Sequence, residues 1–74
     1  MNYKINIVFT EDEHGFFAYA PELPGCYSQG ETFEDANKNM KEAIELYIEA
    51  VPREEIIELL SKEILTKTME VNLV

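Results

Sequence analysis

Cys26 is the only cysteine of the chain and His14 its only histidine. A catalytic thiolate needs a neighbouring base or cation that lowers its pKa, and histidine is the usual one. His14 lies in the connection between the first two strands, so it reaches Cys26 only if the far end of that hairpin folds back. Cys26 instead opens the third strand, where a small buried sulfur is common. No catalytic residue is therefore assigned. A metal centre needs three or four converging ligands, and one His, one Cys and scattered carboxylates offer no such spacing; the surface run Glu11-Asp12-Glu13-His14 reads as a solvated turn. Gly25 and Gly30 frame a strand rather than open a helix, so no phosphate cradle is present. The sequence implies no cofactor, no metal and no enzyme.

The elements that carry these residues follow from periodicity. Tyr3, Ile5, Ile7 and Phe9 alternate with Lys4, Asn6, Val8 and Thr10, the pattern of a strand with one buried face. Charge and Gly15 end that run, and the segment Phe16 to Ala20 returns as a second strand. Pro24-Gly25 fits the centre of a type II turn, with proline presetting φ and glycine taking the positive value. Pro21 ends the second strand by removing a ladder donor. A third strand covers Cys26 to Gln29. Leu23, between the two prolines, either plugs the end of the core or is shown to a partner.

Thr32 then caps a long helix, with Glu34 and Asp35 near the positive end of its dipole. Ala36, Met40, Ala43, Ile44, Tyr47, Ile48 and Val51 make one apolar stripe along it. Pro52 disfavours a helical Val51 and starts a short second helix with its apolar face at Ile56, Leu59 and Leu60. Met69, Val71 and Leu73 alternate with Thr68, Glu70 and Asn72 as a terminal strand. The expected fold is α+β: a three-stranded antiparallel β-meander packed by a long α-helix, then a short helix and a C-terminal strand, β-β-β-α-α-β, in a single domain spanning residues 1–74.

The 74 residues carry fifteen acids against six bases, a net charge of −9. Such a chain repels phosphate backbones and attracts basic partners. A core this small gains from association, so a homodimer or higher homo-oligomer is expected, with Met69, Val71 and Leu73 as its contact residues. No apolar run approaches the roughly 20 residues of a membrane span, and no secretory leader is legible in the first ten residues. A cytoplasmic protein is expected.

The block FFAYAPELPGCYSQGETFEDANKNMKEAIELYIE closely resembles the HicB-like antitoxin family. The resemblance is carried by Ala18, Pro21, Glu22, Leu23, Pro24, Gly25, Cys26, Gly30, Glu31, Thr32, Ala36, Glu42 and Ala43, and with the first strand it runs from Met1 to about Glu49. It implies a partial RNase H-like fold without nuclease chemistry. It also implies an antitoxin of a type II system that binds a HicA-like toxin, a small basic mRNA-cleaving protein. Glu11, Asp12, Glu13, Glu22, Leu23 and Glu31 are the expected partner-binding residues. The alternative is an orphan homo-oligomeric domain with a regulatory or scaffolding role and no toxin. Many family members add a DNA-binding segment; a ribbon-helix-helix places its strand before two helices, whereas here the order is reversed and Lys67 is the strand's only base. Direct DNA binding is not expected.

Overall fold

The computed structural model describes residues 2–74. Three strands, β1 (Val8–Asp12), β2 (Gly15–Tyr19) and β3 (Tyr27–Gly30), form one antiparallel sheet in the order β1-β2-β3. Two helices follow, α1 (Phe33–Ala50) and α2 (Arg53–Leu60). The α+β class and the meander are as the periodicity predicts.

Antiparallel register fixes which residues share a face. Phe9 stands opposite Ala18, and Ala18 opposite Ser28. This row faces α1, whose Ala36 and Met40 are fully buried. Ala18, Ala20, Leu23, Cys26 and Met40 form the centre of the core, with Ile5, Ile7 and Phe9 packed against it. The helix comes so close to β3 that a Cβ added at Gly30 would lie 2.5 Å from the Ala36 amide nitrogen. Only a residue without a side chain fits there.

The local signals behave as their chemistry requires. Thr32 accepts a hydrogen bond from the Asp35 amide at 3.1 Å, capping α1. The helix stops at Val51, before Pro52. The Cys26 amide donates to the Leu23 carbonyl at 3.0 Å, with Gly25 at φ +80°, closing the expected type II turn. A second turn precedes it, in which the Leu23 amide donates to Ala20 at 3.0 Å; the Ala20 amide then reaches the Cys26 carbonyl at 3.1 Å. Leu23 sits where the two turns meet, with no exposed surface. It is a core plug.

Three expectations need correction. The first strand is ladder-paired only from Val8, because residues 2–7 have no strand beside them and are held by side-chain contacts instead. The third strand begins at Tyr27 rather than Cys26, whose backbone closes the turn. The terminal strand is absent: residues 62–74 carry no strand among the described residues, and Met69, Val71 and Leu73 are 68%, 71% and 91% exposed. Alternation alone makes no strand, and this segment pairs with neither open edge of the sheet.

Gly30→Ala should push the start of α1 off the sheet and cost about 1–3 kcal/mol, as overpacking does. Urea denaturation measures it, and an unchanged midpoint would show that the contact is slack.

Candidate functional site

The sheet's other face is not covered by either helix. Register places Val8 opposite Tyr19, Tyr19 opposite Tyr27, and Phe17 opposite Gln29 on that side. Phe17, Tyr19 and Tyr27 are 41%, 39% and 62% exposed. Their rings form a contiguous group, with the Phe17 centroid 6.2 Å from Tyr19 and 5.7 Å from Tyr27. Aromatic rings left half in water on a rigid sheet are suited to anchoring a protein partner, since they bury much area at little entropic cost.

Acid surrounds one end of this face. The hairpin closes at Asp12 opposite Gly15, and Phe16 stands opposite Gly30. That register brings the Glu13-His14 turn to the same end as Glu31. Glu11, Asp12, Glu13 and Glu31 are all exposed there. The turn is braced by its own acid: the His14 amide donates to Asp12 Oδ1 at 2.8 Å, and His14 Nε2 lies 3.4 Å from Glu13 Oε1. A shallow cavity of about 420 Å³ opens at this end, lined by Asp12, His14, Phe17, Gln29 and Glu31 among others.

Glu22 and Leu23 are elsewhere, in the loop at the opposite end of β2, and both are buried. Glu22 accepts from the Asn6 amide at 3.1 Å and from the Asn6 side-chain nitrogen at 2.8 Å. Its carboxylate ties the loop to the segment before β1. Four of the six expected partner-binding residues therefore gather around one end of the sheet, while Glu22 and Leu23 offer a partner no surface.

The aromatic trio was missed from sequence, although its signal was available. Phe17 and Tyr19 share the parity opposite to Ala18, which is the residue that packs inward. Tyr27 joins them only through register, which the sequence does not state. Cys26 and His14 lie at opposite ends of β2, and no group of His, Cys, Asp or Glu among the described residues has metal-binding geometry. Burial pushes the Cys26 thiol above its ordinary pKa.

The match to a family described as "HicB_like antitoxin of bacterial toxin-antitoxin system" covers residues 3–71. A UPF0150 protein of Helicobacter pylori is 43% identical over 67 residues, 90% of this chain and 93% of that one. A UPF0150 protein of Synechocystis is 46% identical over 63 residues, covering 76% of this chain and 78% of the relative. A third UPF0150 protein, from Thermoplasma acidophilum, is 43% identical over 51 residues, covering 68% and 74%. No solved structure matches.

The raised thiol pKa has a direction that can be measured. Between the pKa of the unfolded chain and that of the folded one, the folded state retains a proton that the unfolded state has released. Stability should therefore fall as pH rises above about 9, and Cys26→Ala should flatten that part of the profile. Native Cys26 should react with iodoacetamide far more slowly than the denatured chain; equal rates would contradict its burial.

Proposed function

The chain belongs to the HicB_like antitoxin family, and from that membership we propose that it neutralises a small basic, mRNA-cleaving HicA-like toxin by direct binding. The observation that carries the reading is the uncovered sheet face, where the rings of Phe17, Tyr19 and Tyr27 form one exposed group and Phe17 also lines the cavity at the acidic hairpin end. The rings supply the anchor. Glu11, Asp12, Glu13 and Glu31 supply a field that speeds encounter with a basic surface. The role is binding rather than catalysis, and the sheet with its helix is read as a partial RNase H-like architecture in one domain over residues 1–74.

The same reading places the protein in the cytoplasm, where its toxin would act. No helix among the described residues is long and apolar enough to cross a membrane. A charge of −9 argues against contact with operator DNA. Self-association belongs to the proposal as well: the apolar side chains Met69, Val71 and Leu73 are free to meet another copy. Glu22 and Leu23 are left out of the toxin contact, because their polar and apolar groups are already spent inside the fold.

Co-expression with a small basic HicA-like toxin should restore growth, and calorimetry should detect the complex. Tyr27→Ala and Phe17→Ala should each weaken it about tenfold or more while leaving the fold intact. The double variant Glu11→Lys, Glu13→Lys should mainly slow association, with the difference shrinking at high salt. Failure of the two folded proteins to associate would overturn the proposal.

A further inference from the structure

The chain exposes far more surface than its size warrants. Its accessible area is 6404 Å², whereas a compact monomer of 8.6 kDa exposes about 4,700 Å². The radius of gyration is 14.3 Å against about 11 Å for a compact chain of this length. Residues 62–74 follow α2 without helix or strand and contribute to that exposure, and the long axis of the molecule is 46 Å. Among these residues only Ile64 is even half-buried.

A receiving groove lies elsewhere on the same chain. It has a volume of about 570 Å³ and runs between the segment before β1 and the two helices. Tyr3 and Ile5 form one wall; Ile48, Ile56, Ile57 and Leu60 form the other. Ile48 of the α1 stripe and Ile57 on α2 are 42% and 39% exposed. Tyr3 and Ile5 lead directly into β1, whose outer edge has no neighbouring strand.

We propose that residues 62–74 of one copy occupy this groove on a second copy, and that the exchange is reciprocal. The arm has the shape the groove requires. An extended segment places alternate side chains on one side, so Met69, Val71 and Leu73 enter the groove together while Thr68, Glu70 and Asn72 face water. The size also matches. The excess surface is roughly 1,700 Å² per chain, and burying half of it gives about the 800 Å² per partner of a stable interface. A two-fold arrangement uses both arms and both grooves, leaving no repeat that would extend into a fibre. The chain's own residues 62–74 do not line the groove, and Met69, Val71 and Leu73 stay exposed.

The inference specifies the self-association named above and stands apart from toxin binding, which uses the opposite face of the sheet. Light scattering on the full chain should give twice the monomer mass. Val71→Glu with Leu73→Glu should weaken association at least tenfold and give the monomer mass, with the circular dichroism of the folded chain retained. A mixture of one tagged copy carrying Ile57→Cys and another carrying Val71→Cys should form a covalent heterodimer on mild oxidation. A monomeric wild-type chain would overturn self-association itself. A dimer unaffected by the double substitution would overturn the arm's part in it. An Ile57→Cys, Val71→Cys double variant that closes only within single chains would show the groove filled in cis and refute exchange.

Discussion

The buried loop between β2 and β3 is the constraint on which the other elements depend. Its two successive turns share Leu23, whose side chain enters the core while both its amide and its carbonyl remain hydrogen-bonded. Full burial of a leucine stabilises by about 2 kcal/mol, which matters in a core whose largest fully buried side chains among the described residues are Leu23 and Met40. The residue beside it serves a different end. Glu22 places a carboxylate out of water, where it is tolerable only because the Asn6 amide and side chain both donate to it. One corner of the chain thus closes the core and anchors the otherwise unpaired segment that leads into β1.

With that corner closed, the two faces of the sheet have separate tasks. The inner row of Phe9, Ala18 and Ser28 is small at its centre, which lets α1 descend until Ala36 meets Gly30. The outer row is large and aromatic at positions where stability requires nothing of the kind. A three-stranded sheet covered on one side normally turns polar residues to water on the other. Phe17, Tyr19 and Tyr27 depart from that rule, and their departure is what motivates the proposal that this face binds a partner.

Much of this was legible in the residues. Thr32 followed by two acids marks a helix start by chemistry that acts within four residues, and it was found where expected. Pro24-Gly25 and Pro52 are equally local. The resemblance carried by the PELPGC and GET segments named the family that the comparison over residues 3–71 supports. What escaped was non-local. Glu22 looks like a surface acid until register and chain path bring Asn6 to it, sixteen residues away in sequence. Tyr27 becomes the neighbour of Phe17 only through strand pairing. The terminal alternation was read correctly as a pattern, but a strand also needs pairing, and residues 62–74 pair with neither open edge of the sheet.

The proposed toxin contact rests on the uncovered face, so the most direct measurement is amide resonance mapping of the labelled chain. The titrant is a catalytically inactive HicA-like toxin. Binding through this surface predicts that the largest changes fall on Phe17, Tyr19, Tyr27 and the Glu11 to His14 hairpin, with the α2 resonances little altered. Changes concentrated on α1 and α2, with the β2 and β3 signals unmoved, would contradict it.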